Sequence, residues 1–142
     1  MSPKEVDRDS LDSQTKARSE SEPEDLHEAA FQGFLHLAEL WDLTPEEGGQ
    51  VLGLGEPSAL EAWRAHPQWA PGVEVLIRVG HLLAVHRALT TLIPDQQVRA
   101  WLRRPNGEPH FQGRSPLSML SSSHLQDLEA VHRVLNGRLN VW

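Results

Sequence analysis

The stretch Trp101-Leu102-Arg103-Arg104-Pro105-Asn106-Gly107-Glu108-Pro109-His110-Phe111-Gln112-Gly113-Arg114-Ser115-Pro116-Leu117 restricts what this chain can fold into more than any other. Trp101 and Leu102 end a helical pattern, and Pro105 stops it, because proline lacks an amide donor and biases Arg104 away from helical geometry. Asn106-Gly107 is turn chemistry, since both residues tolerate positive φ at low cost. Phe111 stands alone as an apolar anchor among polar residues. Gly113 lets the chain turn again, and Ser115-Pro116 predicts an N-cap followed by proline at the first helical position. The expectation is a loop of fixed shape, held by burying Trp101, Phe111 and Leu117.

Helical periodicity fills most of the remaining chain. Ala29, Ala30, Phe31, Phe34, Leu35, Leu37, Ala38 and Trp41 recur at helical spacing, so order is expected from near Leu26. Thr44-Pro45-Glu46-Glu47 is a capping-box variant with proline just inside a helix that ends near Gly53. Pro57 starts another helix, with Leu60 and Trp63 inward, ending at His66-Pro67. A helix, a short turn and a helix of this size form a helix-turn-helix pattern. The longest helix is predicted over Val73 to about Leu92, with Val75, Leu76, Val79, Leu82, Leu83, His86 and Leu89 along one face. Pro94 opens a short helix through Trp101, and Pro116 to about Leu120 makes another. Ser121-Ser122-Ser123 is read as the cap of a last helix, His124 to about Asn136. Its apolar face is Leu125, Leu128, Val131, Val134 and Leu135. Gly137 is read as its stop, leaving Arg138-Leu139-Asn140-Val141-Trp142 as a tail. No strand pattern is convincing, so the expected fold class is all-α.

Charge divides the chain into unlike parts. Residues 1–30 carry net −5, residues 31–72 again −5, and residues 73–142 net +3, all of whose positive charge is arginine. Residues 1–25 are rich in Ser, Asp, Glu and Lys and have too little apolar surface to offset their ordering entropy, which predicts a disordered acidic tail. The same composition also suits an arm that orders on a partner. The organisation read from these patterns is a tail over 1–25, a helix-turn-helix-like lobe over 26–70 and a second helical unit over 71–142.

Several classes of function find no support. The sequence has no cysteine, so neither disulfides nor thiolate metal sites are available. No stretch approaches the roughly 20 apolar residues of a spanning helix, and no export pattern opens the chain, so a cytoplasmic protein without a membrane partner is expected. Eight histidines invite a metal hypothesis. No pair has the i, i+4 spacing that puts two ligands side by side on one helix face: His81 and His86 lie five apart and His124 and His132 eight apart, and neither suits a shared ion. Gly53-Leu54-Gly55 lacks the strand that precedes a phosphate loop, and Ser115 lacks a nucleophile-elbow context. No enzyme, metal or cofactor is expected. A binding surface is what remains: Arg99, Arg103, Arg104 and Arg114 flank the loop, Arg138 follows it, and arginine forks suit carboxylates or phosphates. Trp142 adds an apolar load of the kind enriched at interfaces.

The order Trp-Leu, Pro-Asn, Phe-x-Gly-x-x-Pro-Leu and then a helix resembles the C-terminal toxin-binding domain of the Xre/MbcA/ParS antitoxin family, over Val98 to about Leu135. Trp41-Asp42-Leu43-Thr44 followed by Val51-Leu52-Gly53 is similar to the Xre-type helix-turn-helix that precedes it. The resemblance implies a helix-turn-helix-like lobe packed on a helical toxin-binding domain. It further implies a type II antitoxin that binds a RES-type toxin, which consumes NAD or transfers ADP-ribose, and blocks its NAD pocket. Trp101, Asn106, Phe111, Gly113, Pro116 and Leu117 would be the scaffold. Arg103, Arg104 and Arg114, together with the plug Arg138, Leu139, Asn140, Val141 and Trp142, would meet the toxin. A homo-oligomer inside a hetero-oligomeric complex is also implied. The alternative is a helix-turn-helix transcriptional regulator, an autorepressor of its own operon, reading DNA with Ser58 and Arg64. The acidity of residues 31–72 weighs against it, since nucleic-acid affinity rests on neutralising phosphates.

Overall fold

The computed structural model describes residues 25–140. The acidic tail expected over residues 1–25 therefore lies, except for Asp25, outside the described residues, as do Val141 and Trp142. Among the described residues all regular structure is helical. Helix α1 covers residues 25–40. It is followed by α2 (Pro45–Val51), α3 (Pro57–Ala65), α4 (Val73–Leu92), a 3-10 turn (Asp95–Gln97), α5 (Val98–Arg103), α6 (Pro116–Leu120) and α7 (Leu125–Leu139). The all-α expectation holds.

Helix α4 is the axis of the molecule. It buries Val75, Val79, Leu82, Val85, Ala88 and Leu89, and among helices α2 to α7 its packing along α7 is the most extensive. From α7 come Leu128, Val131 and Leu135. From α1 come Phe31, Phe34 and Leu37. By length and mean hydropathy alone α4 reaches the range of a membrane-crossing helix, although Glu74, Arg78 and Arg87 interrupt its apolar residues. Six of its apolar residues are spent on a core shared with the other helices, while Val73 and Ile77 stay exposed.

The α1–α3 part is fixed by local chemistry and by two tryptophans. Thr44 Oγ1 accepts the Glu47 amide at 3.1 Å, and Glu47 Oε1 accepts the Thr44 amide at 2.9 Å, completing the predicted capping box. Trp41 is fully buried, and its indole Nε1–H donates to His86 Nδ1 on α4 at 2.9 Å. Trp63 packs edge-on against Phe31 at 4.9 Å and donates to the Pro67 carbonyl at 3.0 Å. Both rings thus bury their apolar bodies while satisfying their polar atoms.

Among the described residues one charged side chain lies inside. Arg78 has no exposed surface. Its guanidinium donates to the Val51 carbonyl at the end of α2 (3.4 Å), to the Ser122 carbonyl before α7 (2.8 Å) and to Glu74 Oε2 (3.3 Å). It therefore ties both ends of the molecule to α4. Gly53 turns above it at φ 74°, and a Cβ there would stand 2.5 Å from Arg78 Nε.

The C-terminal helix departs from expectation. Gly137 does not stop it: α7 continues through Leu139, with Asn140 as C-cap. Glycine in a helix interior costs up to about 1 kcal/mol but ends a helix only where a left-handed residue is required, and Gly137 is not among the positive-φ residues. Arg138 pairs with Glu108 and Leu139 packs on the core, which holds the extra turn. The N-cap is His124 rather than one of the three serines. Ser122 still contributes, since its Oγ accepts the His124 amide at 3.1 Å and donates to Asp127 Oδ2 at 2.6 Å.

Candidate functional site

The loop between α5 and α6 is closed at its neck by two backbone hydrogen bonds. The Asn106 amide donates to the Arg114 carbonyl (3.1 Å) and the Gly113 amide to the Asn106 carbonyl (3.0 Å). Arg104 is extended, at φ −87° and ψ 137°, as the following proline dictates. The positive-φ turn expected at Asn106-Gly107 falls instead at Gln112 (φ 52°) and Gly113 (φ 79°). Asn106 works through its side chain, whose Oδ1 accepts the Glu108 amide at 2.9 Å. That is the other way asparagine makes a turn. Ser115 caps α6 as predicted, its Oγ accepting the Ser118 amide at 3.2 Å.

The apolar anchors of the loop meet. Phe111 is buried and meets Trp101 edge-on at 5.8 Å, while Pro116 and Leu117 are buried in the first turn of α6. Trp101 itself is only partly buried.

The arginines around the loop divide into engaged and unengaged. Arg103 donates to Glu47 Oε2 at 2.7 Å and to the Trp41 and Asp42 carbonyls at 3.3 and 2.8 Å, fastening α5 to the start of α2. This hydrogen bond from Arg103 holds the Glu47 carboxyl below its ordinary range, and Glu47 in turn raises Arg103. Arg99 closes the end of α1 by donating to the Leu40 carbonyl at 2.8 Å. Arg138 is paired with Glu108 across the loop. Arg104 and Arg114 are exposed and make no ion pair among the described residues. Of the expected toxin-facing residues, Arg104 and Arg114 thus have their guanidinium groups uncommitted. Arg138 and Leu139 belong to α7 rather than to a tail, Asn140 is its C-cap, and Val141 and Trp142 lie outside the described residues.

The residues considered for DNA lie on α3. Ser58 donates to Glu56 at 3.3 Å, and Arg64 approaches Glu61 at 3.8 Å while resting over the Phe31 ring. Each candidate donor therefore has an acidic neighbour. Among the described residues no group of three or more metal-ligating side chains gathers. His81 and His132, which spacing along one helix could not relate, meet across α4 and α7 with their Nδ1 atoms 2.7 Å apart. One Nδ1–H must donate and the other Nδ1 accept, so this contact needs a single proton between the rings. Burial, and then the charge on His81, depresses His132. Burial likewise depresses His86.

A groove of about 430 Å³ lies between this loop and α7. Phe111, Met119, Val131 and Val134 form its floor, and His110 and Arg133 stand at its edge. Sequence reading placed Val134 among core residues and gave Arg133 and His110 no role. The available signal was Ala130, Val134 and Gly137, small or apolar positions at helical spacing beside the inward row Leu128, Val131 and Leu135. A second hollow of about 470 Å³ on the other side of the loop brings together Trp101, Arg104 and Asn106.

Residues 84–138 match the family model described as the antitoxin Xre/MbcA/ParS C-terminal toxin-binding domain. No curated protein matches the chain. The matched stretch begins inside α4 and ends in the last turn of α7, so it holds the loop, both of its flanking helices and the whole groove. From Ala84 to Arg138 this chain is accordingly similar in sequence to the toxin-binding domain of Xre/MbcA/ParS antitoxins, the family whose motif the loop carries.

Proposed function

We propose that this chain is the antitoxin of a type II toxin–antitoxin pair and that it neutralises its toxin by stoichiometric binding. The observation that carries this reading is the family match over residues 84–138, which coincides with the fixed loop and with α7. The toxin is of the RES type, an enzyme that consumes NAD or transfers ADP-ribose. Neutralisation consists of blocking its NAD pocket with the C-terminal end of the antitoxin. Arg138 to Trp142 form the plug in this reading; Arg138 and Leu139 lie in the last turn of α7, where Arg138 pairs with Glu108, and Asn140 is the C-cap. A braced support lowers the entropy lost when such an end is inserted. Arg104 and Arg114 contribute guanidinium groups not used elsewhere, while Trp101, Asn106, Phe111, Gly113, Pro116 and Leu117 shape the surface. The complex contains more than one antitoxin copy. Repression of its own operon through Ser58 and Arg64 is the second reading. It is favoured by the paired helices α2 and α3 and opposed by Glu56 and Glu61 beside the two donors.

Co-expression with the protein encoded beside this chain tests the reading. The neighbour should be toxic alone, harmless with the antitoxin, and recovered with it in fixed ratio. Removing residues 141–142 separates plug from fold better than removing Arg138–Trp142, because Arg138 and Leu139 also support α7. Neutralisation unchanged by that removal would sink the plug. A neighbour that is harmless and does not bind would sink the antitoxin reading as a whole.

A further inference from the structure

We propose that the groove between the loop and α7 receives a bulky apolar side chain of the toxin together with a carboxylate within one helical turn of it. The inference rests on the antitoxin reading and adds the chemistry of the segment that is recognised. The floor is apolar, made by Phe111, Met119 and Val134, and it lies open along the edge of α7. Arg133, His110 and Arg138 also line it, the first two exposed and Arg138 partly buried. The neighbouring acid, Glu108, is already paired with Arg138. Arg133 is exposed and makes no ion pair among the described residues. An apolar floor beneath a cationic rim fits an apolar anchor carrying a nearby acid, since the anchor supplies buried area and the carboxylate pairs with the arginine fork.

Further observations favour a protein segment over a small molecule. No buried side-chain polar atom among the described residues lacks a hydrogen-bond partner, so the floor holds no preset polar hook of the kind that orients small ligands. The arginines sit at the edge, where they select among partners by charge. The lining also falls wholly within the stretch that matches the toxin-binding family, and that half of the chain is the basic one. Arg138 and Glu108 are both more than a third exposed, so an incoming carboxylate can compete for Arg138 at little cost.

Gly137 offers a test that spares the core. It lies on the groove wall, and a Cβ built there meets nothing within 4 Å. Gly137→Trp fills the groove from the helix itself, and Arg133→Glu reverses the rim charge at an exposed position. Full-length wild-type and variant chains are titrated against the purified protein encoded beside this chain, with melting temperatures measured in parallel. Both variants should bind at least tenfold more weakly without a fall in melting temperature. A photo-crosslinker at Ala130 should capture a toxin segment holding a bulky apolar residue and an Asp or Glu. Variants that bind as tightly as wild type overturn the groove and leave the antitoxin reading standing. So does a captured segment without an acid, or an effect of Arg133→Glu on DNA binding alone. A wild-type chain that does not bind the neighbour overturns both.

Discussion

At the scale of single residues, two glycines with the same backbone sign have different jobs. Gly53 and Gly113 both have positive φ, a conformation that costs most L-residues about 1–2 kcal/mol. At Gly113 that is the whole cost, since a Cβ meets nothing within 4 Å. At Gly53 a Cβ would also displace Arg78, whose guanidinium satisfies two backbone carbonyls. Orphaning a buried hydrogen-bonding group costs about 1–3 kcal/mol. Gly113→Ala should therefore lower unfolding free energy by about 1–2 kcal/mol, and Gly53→Ala by clearly more, as read from urea midpoints. Equal losses would mean that Arg78 can re-form its bonds around the methyl group.

At the scale of helices, α7 decides two outcomes. Gly137 sits in its interior, with open space where a Cβ would point. Gly137→Ala should stabilise by roughly 0.5–1 kcal/mol through helix propensity and raise the melting temperature. A helix-ending glycine with positive φ would give the opposite sign. The α4–α7 contact also responds to acid. His132 is held below its ordinary value, chiefly by burial, so the unfolded chain takes up its proton at higher pH than the folded one. Its contribution to stability is complete above the unfolded value of about 6.5 and is lost as pH falls through the folded value. His86 adds a loss of the same sign. Melting temperature should decline as pH is lowered from 7.5 to 5. His132→Asn should flatten the decline, and a profile unchanged by that substitution would rule out the His132 contribution.

At the scale of the whole molecule, the family match and the folding unit differ. The match begins at residue 84, halfway along α4. It leaves out Val75, Arg78, Val79 and Leu82, all of which belong to the buried interior. A peptide of residues 84–138 should show little helical circular dichroism and no cooperative melting, whereas residues 25–140 should unfold in a single transition. Arg103 and Arg78 act in the same sense, joining α2 to the C-terminal half. A stable, cooperatively melting short peptide would show that these links across the molecule are dispensable.

Helix positions and local turns were legible in the sequence because their causes are local. Thr44 with Glu47, Ser115 with Pro116, and Pro105 acting on Arg104 each operate over a few residues and behave as expected. The loop motif likewise led to the family, because its spaced residue types lie within one short stretch. Apart from the turn expected at Asn106-Gly107 and the serine cap expected for α7, the departures lie where distant groups compete with local preference. Gly137 carries a stop signal, but it keeps helical geometry, Leu139 packs on the core beyond it and the helix continues. Arg78 falls within an apolar helix, and only folding brings the Val51 and Ser122 carbonyls to it. Arg103 looked available for a partner until Glu47 was brought beside it. By itself the sequence determined the all-α class, most helix boundaries and the constrained loop. The tertiary structure alone decided which arginines are spent inside the molecule, which histidines meet, and where an apolar groove remains open, because each depends on contacts between residues far apart in the chain.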